Sequence, residues 1–308
     1  MSSAVTPSPL LERLIRNFKQ RTPLRTGSLI VTIFGDCISP RGGVVWLGSL
    51  INVLAPLEIS QRLVRTAVYR LVQDGILDNE QVGRKSFYTL TREGRQSFAE
   101  ATDRIYRTTP PDWDGSWCIV FLNRVPVPAR MKVRKDLQWL GFGAFASDVM
   151  AHPRPDTDLL ATHLRAIEHG SRAIVMQASL QRAGVDTNVA DLVGDTWHLD
   201  DLEQAYAGFV SQFESFLAAG TLATIGPTDA FYLRTFLIHE YRKVLLRDPA
   251  LPDELLPESW QGRTAQQLTQ AIYRQTLHAS EAFIEAHFQD QSGPLPPPDE
   301  AFFRRFND

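Results

Sequence analysis

Apolar residues recur along this chain at spacings that separate helices from strands. Ser28 to Phe34 begins an apolar helix, and Pro40-Arg41-Gly42-Gly43 interrupts the chain. Val44 to Leu54 reads as a helix, since Trp46, Leu47, Leu50, Ile51 and Leu54 return every three or four residues. Ala55 to Ile59 is a turn. Ser60 is a good N-cap for a helix from Gln61 to Asp74, and Gly75 suits the position after its end. Ile76-Leu77 and Ser86 to Leu90 read as two strands, with Gly83-Arg84-Lys85 in their connection. Thr91 opens a further helix running to about Tyr106.

The middle of the chain alternates between strand and helix. Strand-like runs at Trp117 to Leu122, Phe142 to Met150 and Ala173 to Leu180 flank helices at Pro128 to Leu140 and Asp156 to Glu168, the latter capped by Asp156 or Thr157. The order is β-α-β-α-β with room for one further strand, which fits a small ferredoxin-like domain. From Val189 the signal is helical, with helices at Leu199–Ala219, Asp229–Leu246 and Thr264–Phe288. In the first of these, Leu202, Tyr206, Phe209, Phe213 and Phe216 form an aromatic stripe that reads as core. Gly/Pro-rich sequence from Ser292 to Pro298 precedes a tail whose Phe302, Phe303 and Phe306 suggest that it docks. Polar, proline-bearing sequence at Thr108–Asp112 and a change of pattern at Ala183–Asn188 divide the chain into domains at 1–107, 113–188 and 189–308. The fold class is α+β and multidomain.

At 308 residues the chain is long for one core, and 44% hydrophobic with 22% charged residues is the balance of a globular protein. Two cysteines, Cys37 and Cys118, exclude a disulfide scaffold and a Cys-rich zinc module. Cys37 reads as a small buried hydrophobe. No apolar run reaches the length of a membrane span, and Met1 to Pro9 lacks the pattern of a signal peptide. A soluble, cytoplasmic protein is expected.

Charge then changes the picture. Residues 1–107 hold 15 Lys and Arg against 9 Asp and Glu, while residues 108–308 hold 17 against 26. A basic first third on an acidic remainder points to a polyanionic partner for the first part. Helix, turn, helix and a hairpin with a basic tip form the order of a winged helix-turn-helix. In the helix from Gln61, the 100° step per residue puts Val64, Ala67, Val68 and Leu71 on one side. Arg62, Arg65, Thr66, Tyr69 and Gln73 fall on the other. Two guanidiniums, a hydroxyl, a phenol and an amide can reach phosphates and base edges in a major groove. A merely solvated face has the same pattern; the turn, the cap, the basic tip and the regional charge together favour DNA. The DNA-binding set is therefore Gln61, Arg62, Arg65, Thr66, Tyr69 and Arg70 on the helix, with Arg84 and Lys85 at the tip. Arg13, Arg16, Lys19, Arg21 and Arg25 form a basic lead-in.

Several blocks resemble PaaX-type repressors. They are Gly27–Asp36 with Pro40–Gly43 and Trp46–Leu50, Gln61–Leu71, Gly83–Tyr88, Leu90–Gly94, Ile238–Arg242, Arg247–Pro249, Leu251-Pro252 and Leu255–Pro257 with Trp260. The resemblance spans about Thr26 to Phe283. It implies a repressor of phenylacetate degradation genes, released from a palindromic operator by phenylacetyl-coenzyme A. It also implies a homodimer of chains with a winged helix, a ferredoxin-like middle similar to Cas2 nucleases, and a helical C-terminal effector or dimerisation domain. The Cas2 likeness raises nuclease chemistry, but the first middle strand runs into Asn123-Arg124 where that family has a metal-binding aspartate. Asp114 precedes the strand. His239-Glu240 lacks the second His of a zinc-protease motif, since residue 243 is Lys.

No enzyme, cofactor or metal is expected, the effector apart. An acyl-coenzyme A needs cations for its phosphates and an apolar pocket for its acyl group. Arg234, His239, Tyr241, Arg242 and Trp260 are the candidates. Each also has a structural role open to it, and a pocket between the middle and C-terminal parts is equally compatible with the sequence. A coenzyme A thioester-binding enzyme and a protein-interaction adaptor, each with a fused winged helix, are the competing readings.

Overall fold

A computed structural model of the chain describes residues 9–20, 25–107, 113–153, 155–179, 189–218 and 220–306. Arg21, the expected linker at Thr108–Asp112 and the change of pattern at Ala183–Asn188 lie outside the described residues. Two compact units form. One joins residues 1–108, 207–245 and 263–308; the other joins 109–206 and 246–262.

The first unit opens with α1 (Pro9–Lys19) and α2 (Thr26–Ile33), followed by a π-helical turn at Phe34–Ile38. Strand β1 (Val44–Trp46) and helix α3 (Leu47–Leu54) come next, so the helix expected from Val44 begins three residues later. Val44-Val45-Trp46 is instead paired antiparallel with Phe87–Thr89, because a partner strand is available to β-branched and aromatic residues there. Helix α4 (Gln61–Gln73) starts at Ser60, whose side chain accepts from Leu63 N at 3.3 Å. It ends before Gly75, whose φ of 69° is the left-handed conformation that glycine adopts without strain. Val64, Ala67, Val68 and Leu71 are buried, and α4 packs on α2. Strands β2 (Leu77–Val82) and β3 (Lys85–Leu90) form the hairpin, in a sheet of order β1-β3-β2. The turn proper is Gly83-Arg84, and Lys85 opens β3 opposite Val82. Helix α5 (Arg92–Tyr106) is capped by Thr91, which accepts from Gly94 N at 2.8 Å.

In the second unit, β4 (Ser116–Phe121), α6 (Val127–Trp139), β5 (Gly143–Ala146), β6 (Val149–His152), α7 (Thr157–Ala166) and β7 (Ile174–Ser179) follow in turn. The expected strand at Phe142–Met150 is thus a hairpin of two strands, which completes the β-α-β-β-α-β order of ferredoxin-like domains. The sheet order is β5-β6-β4-β7, antiparallel throughout. Val120, Leu122, Val133, Leu137, Met150 and Leu160 fill its core. Asp156 is the cap of α7, accepting from Asp158 N and Leu159 N.

Helices α8 (Val189–Trp197), α9 (Leu199–Ala218), α10 (Pro227–Leu245), α11 (Gln261–His287) and α12 (Glu300–Phe303) make the C-terminal part helical. The division between units falls inside α9, between Tyr206 and Ala207. All five members of its aromatic stripe are buried. Helix α10 is buried on every side from Ala230 to His239, as a central helix must be. The tail docks on the first unit: Phe302 and Phe306 are buried, while Phe303 is exposed. Among the described residues, no helix is long and apolar enough to cross a membrane.

Candidate nucleic-acid interface and effector site

The outer face of α4 is open along its length. Gln61, Arg62, Arg65, Thr66, Tyr69, Arg70 and Gln73 are all exposed, and Tyr69 keeps 62% of its surface free. Leu63 joins them at 48%, an apolar position that the amphipathic pattern did not place outside. Among the described residues, no ion pair holds Arg62, Arg65, Arg70, Arg84 or Lys85. The Thr66 hydroxyl donates to Arg62 O at 2.9 Å, which leaves its oxygen as an acceptor. Arg84 stands exposed at the hairpin tip. The Lys85 ammonium lies 4.7 Å from the centre of the Trp46 ring, so β1 holds it by a cation–π contact. The hairpin is cationic only at its tip, because β2 exposes Asp78 and Glu80. In the lead-in, Arg13, Arg16 and Arg25 are exposed and Lys19 pairs with Glu58 at 2.9 Å.

The effector candidates have different surroundings. Arg234 is buried, with Nε 2.8 Å from Asp36 Oδ2 and Nη1 2.9 Å from Glu281 Oε1. His239 Nδ1 lies 3.0 Å from the Thr32 hydroxyl. Tyr241 is buried with its ring 5.5 Å from Phe209. Trp260 belongs to the second unit, buried with its ring edge-on to Tyr206 at 5.7 Å. Arg242 borders a cavity of 190 Å³ lined by α2, α5 and α10. It donates from Nη2 to Ser28 O and Oγ at 3.0 and 2.9 Å.

Asp36 was not singled out in the sequence, although it is a lone carboxylate in the apolar run from Leu29 to Ile38. It accepts from Tyr106 at 2.7 Å and Tyr273 at 3.0 Å, and pairs with both Arg234 and Arg305. Burial pushes its carboxyl up, but the two guanidiniums and the Tyr106 hydroxyl outweigh this and hold it below the usual range. Arg41 extends the network by pairing with Glu281. Burial, then the Asp36 charge, pushes the Cys37 thiol well up. Among the described residues, no cluster of His, Cys, Asp and Glu could hold a metal ion. Asp114 accepts from Ser116 N and Oγ beside β4.

The chain matches three family models in succession: PaaX-like protein at residues 25–94, PaaX protein central Cas2-like domain at 110–190, and PaaX-like protein C-terminal domain at 197–286. It is 36% identical over 298 residues to the transcriptional repressor PaaX of Escherichia coli (strain K12), covering 96% of this chain and 94% of that one. Among solved structures, it is similar to the uncharacterized protein Rv0674 from Mycobacterium tuberculosis. That similarity has a TM-score of 0.49 and 22% identity, over 76% of this chain and 89% of the other. Matched over nearly all of its length, the chain belongs to the PaaX family.

Proposed function

We propose that the protein is a DNA-binding transcriptional repressor, organised as an N-terminal winged helix-turn-helix, a central Cas2-like domain and a helical effector domain. One observation carries the reading: a helix face whose three arginines have no ion pair among the described residues, with a hydroxyl and a phenol, stands open beside a hairpin with a cationic tip. A repressor among its relatives, similar over 96% of this chain, supports the same role. In this reading α4 enters the major groove, where Arg62, Arg65, Thr66 and Tyr69 read base edges. Gln61, Arg70, Arg84 and Lys85 bind phosphates, and these set affinity without carrying sequence information. A homodimer presents two such helices one helical turn apart on a two-fold operator. The genes controlled are those of phenylacetate or related aromatic-acid catabolism, and an aryl-acetyl-coenzyme A such as phenylacetyl-coenzyme A releases the repressor. The effector shifts the equilibrium by binding one state better than the other.

The test starts from DNA fragments selected for binding by the full-length protein. Arg65→Ala then weakens binding to the selected site by about 1–3 kcal/mol in a gel-shift titration and relaxes specificity at one base. An unchanged titration, or a selection that enriches nothing, removes the reading.

A further inference from the structure

The half-open pocket bordered by Arg242 is anomalous in two respects. The first is size together with lining, since it measures 190 Å³. An engineered apolar cavity of about 150 Å³ already holds benzene. Its walls are mainly apolar, with Val31 from α2, Phe98, Ala101 and Ile105 from α5, and Ile238 from α10.

The second anomaly is charge. The Nε of Arg242 is buried and has no acceptor, and the polar contacts of Nη2 are with Ser28, a neutral residue. No carboxylate among the described residues pairs with it. Burial accordingly holds the guanidinium below its usual pKa, opposed only by the nearby Tyr106. The adjoining network does not supply the missing charge. There, among the described residues, Arg41, Arg234 and Arg305 pair with Asp36 and Glu281, an excess of one positive charge before Arg242 is counted. Arg242 is partly buried and its polar contacts are with a neutral residue, so a ligand oxygen can supply the missing negative partner.

We infer that the cavity between α2, α5 and α10 is a ligand site for a ring-sized apolar group whose carboxylate or acyl oxygen accepts from Arg242. The ring lies against Phe98 and Ile238, and the oxygen lies against the guanidinium of Arg242. Helix α2 forms one wall and also packs on α4. A ligand that fits only one spacing of α2, α5 and α10 therefore biases the position of the DNA-reading helix. This placement rests on the ligand-responsive part of the proposed function, and the DNA-binding part stands without it.

The test uses the full chain and two probes in isothermal titration calorimetry: benzoate for the free carboxylate, and benzoyl N-acetylcysteamine for the acyl thioester. At least one binds the wild type, and which one identifies the source of the oxygen. Arg242→Gln weakens that probe by at least about tenfold, as loss of a charged hydrogen bond requires. Ala101→Phe, at a partly exposed position on the pocket wall, fills the space and abolishes binding. Ala101→Leu serves if the Phe variant melts early. No binding of either probe to the wild type, or equal binding to the wild type, Arg242→Gln and Ala101 variants, overturns the inference. Wild-type protein that retains its selected DNA but takes neither probe sinks this site alone. Protein that takes a probe but retains no DNA sinks the DNA reading alone.

Discussion

Asp36 shows how one side chain organises its surroundings. It is 2% exposed, and its two oxygens receive two tyrosine hydroxyls and two guanidiniums. Removing one partner of a buried ion pair leaves the other charge uncompensated, typically at about 3–5 kcal/mol. Asp36→Asn is expected to lose stability in that range in urea unfolding at pH 7. Because the folded carboxyl titrates below its unfolded value near 3.9, its contribution is complete above about pH 4. It disappears as pH falls through the lower folded value. Melting temperatures of the wild type should therefore fall more steeply below pH 4 than those of Asp36→Asn. The anomaly of a carboxylate in an apolar run was legible in the sequence, but its partners were not, since they lie between 70 and 269 residues away. The face of α4 was legible for the opposite reason. Helical period fixes Arg62, Arg65 and Tyr69 on one side without any tertiary information. Arg234 shows the limit of such reasoning: an arginine on an otherwise apolar helix looks like a ligand contact until its partners, the buried Asp36 and the part-buried Glu281, are seen.

Among the elements, the helices follow the sequence pattern within a few residues because caps and breakers are local. Ser60, Gly75, Thr91 and Asp156 stand where side-chain chemistry predicts helix ends. The strands were harder. Val44–Trp46 carries helical spacing but is recruited by β3, and Phe142–Met150 hides a tight hairpin within one apolar stretch. Strand β7 has a different significance. It is an edge strand, all six of its residues are exposed, and Ile174-Val175-Met176-Gln177-Ala178-Ser179 contains no charge. Natural edges are usually protected by charges, bulges or cover. Among the described residues this edge carries no charge that would repel a two-fold copy of itself, so it is where the proposed homodimer is tested first. Met176→Lys places two ammonium groups across that axis. If the proposed homodimer pairs through this edge, the variant runs as a monomer in size-exclusion chromatography with light scattering; an unchanged dimer mass moves the contact elsewhere.

For the molecule as a whole, the first unit is assembled from three separated stretches of chain. Boundaries read along a sequence cannot show this, because composition marks linkers and not the return of a distant helix. The tail secures the assembly. Arg305 reaches Asp36, Phe306 N donates to Tyr106 O at 3.2 Å, and Gln270 and Arg274 donate to Phe306 O. Phe302 lies under the guanidiniums of Arg41, Arg234 and Arg305. Phe306→Ala is expected to cost about 3–5 kcal/mol, as for other fully buried phenylalanines. Ending the chain before Asp299 should cost more than this, with less than the sum of the single effects because the contacts are shared. Both are read by circular dichroism melts. The burial of Cys37 has a practical corollary. Its thiol is shut in, with its pKa pushed well up, whereas Cys118, whose thiol burial also pushes up, is half-buried and borders an open groove. Native protein should consequently take up one maleimide dye and urea-denatured protein two, so fluorescence anisotropy can follow operator titrations on the unmutated chain.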